Sequence, residues 1–415
     1  MNRKKIWLIL GPALFALSFI PYGGLTQNVR LALGTVLWMG VWWVAMPVPP
    51  AITAFLPVVI NAVFALTDMS SITNCYSAEL VFLLAGADII TMVWEITGVD
   101  KRIAAHSLAL VGTSVRQQVV IWFLISTVLS AVLPNTVVAA VLCSIAMAML
   151  KFVGEGDVEK SSAAKLVLLA IVWGANNGGM FTPLGGAMNL ITVSYIEELT
   201  GAEFLYTDWV RALWPFALAV TVLTLVYLLL PCKKKTLEGS KTYFSDLCKS
   251  LPKLSRAGRI SLIVFAAAAL LAFTRQLYQR QFPVLKPGFV FLIGGLLMFF
   301  LRDEEKKPII TWEHVEQNLM WGMFFLFAGG TALGALVNGS GASEVFAGLI
   351  ARFPVHNTFL LVLIIVTLNV VLSDVINNTA CAAVTIPIVI GIAKGLSLPV
   401  IPYLWVCLLY TSPSP

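Results

Sequence analysis

The sequence predicts an all-α polytopic membrane protein assembled from two related halves, and three observations carry that expectation. Of its 415 residues, 59% are hydrophobic and only 12% charged. A soluble domain carries roughly 25% charged residues, so lipid must solvate this chain. Its apolar residues gather into successive runs of near-spanning length. Finally, one stretch occurs twice: Val128-Leu129-Ser130-Ala131-Val132-Leu133-Pro134-Asn135-Thr136 returns as Val371-Leu372-Ser373-Asp374-Val375-Ile376-Asn377-Asn378-Thr379. The register holds without a gap from Phe82-Leu83 against Phe325-Leu326, through Gly98 against Gly341, to Ile145 against Ile388. A gapless match of that extent points to internal duplication.

Taken in order, Met1-Asn2-Arg3-Lys4-Lys5 precedes the apolar run Ile6–Ile20. No small-x-small cleavage site closes that run and more spans follow, so 1–28 reads as a retained helix outside the repeat. Residues 29–231 form repeat 1, with runs at Val29–Val44, Ala51–Leu66, Leu80–Ile96, Val119–Met149, Ala164–Tyr195 and Trp209–Leu230. A basic loop, 232–259, follows. Repeat 2 occupies 260–415, with runs at Ile260–Phe273, Gly288–Leu301, Leu319–Val337, Phe359–Ile392 and Leu398–Leu409.

Two of these runs should not be single spans. In 117–152 and 357–392 the apolar stretch on each side of the shared Asn falls short of the ~20 residues a crossing needs. Pro134 and the Asn377-Asn378 pair break the helix between them. A broken backbone cannot face lipid. A re-entrant hairpin, entering halfway and returning to the same side, satisfies both length and breakage. Span 164–195 contains Gly178-Gly179-Met180-Phe181-Thr182-Pro183-Leu184-Gly185-Gly186-Ala187-Met188-Asn189, too rich in Gly and Pro for a regular helix. It is expected to unwind near midplane.

Charge sets the orientation. Lys101-Arg102 and Lys151–Lys165 carry Lys and Arg and Lys233–Arg259 is the most basic loop, whereas Asp68–Glu79 and Glu197–Asp208 carry acids and no Lys or Arg. A cytoplasmic N-terminus in the inner (plasma) membrane places these loops on the expected sides, with Arg275–Lys286 the exception. Five crossings between the hairpins put them on opposite faces. The repeats are therefore inverted, which is the transporter arrangement.

Composition also excludes. Cys75, Cys143, Cys232, Cys248, Cys381 and Cys407 are scattered, and His106, His314 and His356 stand apart. Neither a zinc site nor a disulfide framework is expected. The net charge of +6 sits in short loops and implies no nucleic acid. An intramembrane enzyme would need a Ser/His or paired-Asp constellation at depth, and no His lies deep in any run.

The hairpin tips carry the chemistry. Each Asn-Thr opens a half-helix whose free N–H groups favour an anion. Carbonyls just before the tip, with the Ser hydroxyl upstream, suit a hard cation. Pairing the two ions reduces the desolvation either would incur alone. The plainer alternative is that Asn and Thr hold helices together; two matched copies favour a site.

Twin Asn-Thr hairpins with Gly-Gly-x-x-Thr-Pro-x-Gly-x-x-x-Asn after the first resemble the divalent anion:sodium symporter family over nearly the whole chain. The resemblance implies a homodimer that moves di- or tricarboxylates, or sulfate, by an elevator motion, as a sodium symporter or an exchanger. It implies that Asn135, Thr136, Asn378 and Thr379 hold substrate beside Gly186 and Ala187. It further implies one sodium site at Ser130, Asn135 and Gly185 and another at Ser373, the Ile376 carbonyl and Asn378. No other cofactor is implied. The chain departs from the family pattern where Pro134 and Asn377 replace tip serines and Gly186-Ala187-Met188 replaces Thr-Pro-Pro. Asp374 and Asp88 are the carboxylates on which a rival cation/proton antiporter would depend, while Glu95 sits near the interface. The equivalent of Gly185–Asn189 in repeat 2 would lie past Pro415, so repeat 2 is expected to be truncated, with a foreign tail from about Cys407.

Overall fold

The computed structural model describes residues 3–108, 112–133, 135–232, 235–251, 253–303, 306–343, 345, 358–375, 378–396 and 398–411. Among them all regular structure is helical, apart from isolated antiparallel bridges at Ser114–Thr236 and Arg302–Pro308. The helices begin with α1 (Arg3–Leu17), α2 (Gln27–Ala45), α3 (Pro50–Thr53), α4 (Leu56–Phe64) and α5 (Met69–Thr73). Next come α6 (Glu79–Thr97), α7 (Val99–Leu108), α8 (Val115–Ser130), α9 (Asn135–Phe152), α10 (Ser162–Gly178) and α11 (Ala187–Thr200). They continue with α12 (Tyr206–Leu229), α13 (Ser240–Ser250), α14 (Arg256–Phe273), α15 (Arg275–Tyr278), α16 (Pro287–Met298) and α17 (Trp312–Asn318). The last four are α18 (Trp321–Gly339), α19 (Thr358–Val375), α20 (Asn378–Gly395) and α21 (Val400–Thr411).

Stretches long and apolar enough to cross a bilayer among the described residues are Met69–Thr97, Tyr206–Leu229, Arg256–Phe273 and Trp321–Gly339. The chain is a multi-pass all-α membrane protein. The run Val119–Met149 divides as its breakers predict. Helix α8 has 16 residues and α9 has 18, and at 1.5 Å per residue α8 rises only about 24 Å, short of a ~30 Å hydrocarbon core. Ala51–Leu66 also divides, into α3 and α4, because Pro57 cannot donate into a continuous ladder.

Matched features recur at one register. Helices α9 and α20 are both 18 residues long and both open on the Asn of the shared motif. Gly98 and Gly341, paired in that register, both take positive φ, +68° and +79°, just past α6 and α18. Gly86 in α6 lies against the Phe291 backbone, and its counterpart Gly329 in α18 lies against the Ala54 backbone. Glycine is needed at both contacts because a Cβ would enter the neighbouring main chain.

By contact the chain divides into two compact units. The first holds Met1–Phe82, Ala187–Ala202 and Met320–Ser414; the second holds Leu83–Gly186 and Glu203–Leu319. Helices α8 and α9 belong to the second and α19 and α20 to the first.

In the second unit the described stretch 235–251 of the basic loop is packed despite its charge. It folds back as α13 and ties the base of α8 and α9. Val115 N donates to Lys235 O at 2.9 Å and Leu237 N to Thr113 O at 2.7 Å. Buried Gln118 donates to Gly112 O and Ser240 Oγ and accepts from Trp122 Nε1. Beyond α9, Glu155 accepts from Lys235 Nζ and from Ser161 Oγ, both at 2.5 Å. The Lys235 ammonium first, then the Ser161 hydroxyl, hold the Glu155 carboxyl below the usual carboxylate range. A depressed folded pKa contributes stability that is present above the unfolded value of ~4.3 and is lost as pH falls through the folded value. Glu155→Gln is therefore expected to flatten the acid limb of a melting-temperature profile below about pH 5. The change will be small, because the pair is partly exposed. An unaltered acid limb would show that the pair contributes nothing measurable.

The same unit buries Arg275, 2% exposed, against Glu203. Nε donates to Oε1 at 2.6 Å and Nη2 to Oε2 at 3.1 Å, while Nη1 and Nη2 also reach Phe282 O and Pro283 O. Neutralised this way, Arg275 no longer acts as a free cation in the one loop that broke the charge pattern.

In the first unit, buried Asn369 of α19 locks the second hairpin. It donates to Ile365 O at 2.8 Å and accepts from Thr385 Oγ1 of α20 at 2.8 Å, with Cys407 Sγ of α21 at 3.7 Å. An amide so fully engaged in an apolar interior fixes register as well as contact.

Candidate functional site

The first tip is built by close approach. Gly174 and Gly178 lie one turn apart on α10 and face α8. A Cβ on Gly174 would come within 2.5 Å of Phe123 O, and one on Gly178 would strike Thr127 O and the Ser130 side chain. The small-xxx-small spacing lets the two backbones touch. Ser126 Oγ closes the seam by donating to Ile171 O at 2.5 Å.

At the top of this seam α8 ends. Ala131 N bonds to Thr127 O, and Val132 N and Leu133 N both bond to Leu129 O. Pro134 lies outside the described residues, but proline has no amide hydrogen. The chain therefore lacks the donor that a continuing helix would offer the Ser130 carbonyl. The Ser130 side chain is fully buried, and its Oγ has no hydrogen-bond partner among the described residues. Asn135, half-buried, opens α9, and its Nδ2 donates to Asn176 Oδ1 of α10 at 3.2 Å.

The expected unwinding after α10 is present. Helix ends at Gly178, a short 3-10 turn covers Pro183–Gly185, and helix resumes at Ala187 in the first unit. Thr182 Oγ1 donates to Ala131 O at the tip and accepts from Leu184 N at 3.1 Å. Gly179 and Gly185 meet backbone to backbone, so the loop folds on itself. Two carbonyls released by the break are taken by tryptophans of α12. Trp209 Nε1 donates to Met180 O at 3.0 Å and Trp214 Nε1 to Phe181 O at 2.8 Å. The start of the broken segment is thus held by named donors.

Of the residues singled out from sequence, Ser130, Asn135 and the Gly185 loop gather at this tip. Gly186 is half-buried, with extended backbone. Thr136 and Ala187 lie in helices, but their side chains are outside the described set. At the second tip Asn378 is half-buried and opens α20; Ser373 is buried and donates to Val370 O at 3.0 Å. Ile376 and Asn377 lie outside the described residues, as do the Asp374 and Thr379 side chains. Asp88 is half-buried in α6 and Glu95 exposed. Among the described residues no three His, Cys, Asp or Glu side chains cluster as a metal site; the polar atoms at the first tip are hydroxyl, amide and carbonyl.

Sequence reading passed over Asn176 and Asn177, 8% and 4% exposed. Two amides in the last turn of an apolar helix were a usable signal, since polar groups at that depth are expensive.

Compared with known proteins, residues 40–409 match the sequence profile of the citrate transporter family. The chain belongs to the citrate transporter family. Its resemblance to divalent anion:sodium symporters is upheld by its relatives. The sodium-dependent dicarboxylate transporter SdcS of Staphylococcus saprophyticus subsp. saprophyticus is 26% identical over 413 residues, covering 95% of this chain and 79% of the relative. The SdcS of Staphylococcus aureus strain USA300 shows the same identity and coverage. This member of the citrate transporter family thus aligns with such transporters over a length that includes both Asn-Thr segments.

Proposed function

We propose that the chain is a secondary active transporter of small divalent organic anions, di- or tricarboxylates, driven by sodium symport in the plasma membrane. The observation that carries the reading is Ser130, a buried hydroxyl without a partner among the described residues, beside a helix break and a half-buried amide. An unsatisfied buried oxygen is expensive unless something supplies it with positive charge. Sodium coordinated by Ser130, Asn135 and the Gly185 loop does so with oxygen ligands alone.

In this reading the anion meets the N-terminal end of α9, with its favourable dipole, and Asn135, Thr136, Gly186 and Ala187 lie around it. Asn378 and Thr379 meet it from the second tip, and Ser373, the Ile376 carbonyl and Asn378 hold a second sodium. Each cation lowers the desolvation penalty of the carboxylate beside it, so neither enters well alone. That mutual dependence is the coupling. The two hairpins enter from opposite membrane faces, as the five crossings counted between them in the sequence require, and the molecule acts as a dimer by elevator motion. The names of the SdcS relatives support both the sodium and the dicarboxylate.

Uptake of labelled succinate, citrate and sulfate into proteoliposomes, with and without an inward sodium gradient, tests the proposal. Succinate or citrate should accumulate only with the gradient. Uptake that ignores sodium and requires internal dicarboxylate would replace symport with exchange, and proton-driven cation flux abolished by Asp88→Asn would replace anion transport.

A further inference from the structure

We infer that Asn176 is a positioning residue, setting the cation affinity of the first tip by anchoring the Asn135 amide; the inference rests on the sodium reading above and names a residue that reading does not use. A side-chain amide has a donor arm and an acceptor arm. Rotation about χ2 exchanges them at little energy, so an unanchored Asn at a tip offers a cation its oxygen only part of the time. Here the donor arm is held: Asn135 Nδ2 donates to Asn176 Oδ1 at 3.2 Å. Fixing Nδ2 fixes the direction of Oδ1, and the oxygen is the arm a hard cation needs.

The anchor stands on a closely packed backbone. Asn176 is 8% exposed and lies between Gly174 and Gly178, the glycines that press α10 onto α8. Its height relative to the tip is therefore set by main-chain contact and not by a flexible side chain. Asn177 cannot take its place. One residue along a helix turns the side chain by about 100°, and Asn177 Nδ2 has no partner among the described residues although the residue is 4% exposed. An acceptor at position 176 is also the one chemistry that works there. A donor would turn Asn135 over and present its NH2 to the cation.

The test uses Asn176→Ala, which removes the acceptor, and Asn176→Asp, which keeps it and accepts the same hydrogen. Two readouts are taken on the purified chain: the sodium concentration giving half-maximal thermal stabilisation in detergent, and the KM for succinate at saturating sodium in proteoliposomes. Loss of one orienting hydrogen bond is expected to raise the half-maximal sodium concentration about fivefold to tenfold in Asn176→Ala. The succinate KM should stay within about twofold, and Asn176→Asp should stay near or below the wild-type sodium value. Melting temperatures without sodium show whether each variant folds, and Asn176→Asp carries the test if the alanine variant does not. Two results overturn the inference: an unchanged sodium value in Asn176→Ala, or an Asn176→Asp variant weakened as much as the alanine. A wild-type chain that sodium does not stabilise at all sinks the sodium reading, and this inference with it.

Discussion

Glu203→Gln will destabilise the protein by about 3 kcal/mol, the low end of the range for removing one partner of a buried ion pair. The low end applies because Arg275 is 2% exposed whereas the Glu203 side chain is 23% exposed, so water recovers part of the loss. Glutamine keeps the shape and one acceptor but leaves the guanidinium charge uncompensated in a dry setting. Pairing Glu203→Leu with Arg275→Met should recover only part of the stability. The guanidinium also satisfies Phe282 O and Pro283 O, and methionine leaves both carbonyls without that donor. Thermal unfolding in detergent checks both variants. A Glu203→Gln chain melting with the wild type would mean that the pair is solvated.

Gly178→Val is expected to be the most damaging change at the candidate site. Its side chain would occupy the space of Thr127 O and press on the Ser130 side chain. Overpacking a close contact costs about 1–3 kcal/mol, and here the obstacle is main chain, which cannot rotate away. Relief requires α10 to retreat from α8, carrying Asn176 from Asn135 and Thr182 from Ala131. Uptake should therefore fall to background even where protein still accumulates in the membrane. Gly40→Ala is the control. No atom lies within 4 Å of a Cβ there, so transport should persist and stability should be equal or slightly higher. Normal uptake by Gly178→Val would contradict the tight seam.

Much of this architecture was legible from residue pattern. The apolar runs became helices, and the break before Asn135 falls where Pro134 and the short limbs placed it. The unwound segment appeared where Gly and Pro were dense. The site partners were less legible, for physical reasons. Asn176 meets Asn135 only because two glycines let α10 approach α8, and no periodicity within one helix encodes a contact with another. Gly185 was chosen by resemblance, yet its fold-back on Gly179 depends on backbone approach. Loop 232–259 read as a basic loop because its Lys and Arg are many, whereas Tyr243, Phe244 and Leu247 are too few to form an apolar run. The packing of Phe244 against Trp122, ring centroids 5.9 Å apart, and the Gln118–Ser240 hydrogen bond show α13 docked on α8. Arg275 looked like an exception to charge placement because sequence cannot show a charge being neutralised by a residue so far away along the chain.

The central claim is that both broken tips serve one anion. It is tested most directly by sodium-gradient-driven uptake of labelled succinate in Asn135→Ala and Asn378→Ala, each reconstituted at wild-type density. Both variants should lose uptake, although each alters only one hairpin. Wild-type uptake by either would show that one tip suffices and would contradict the account.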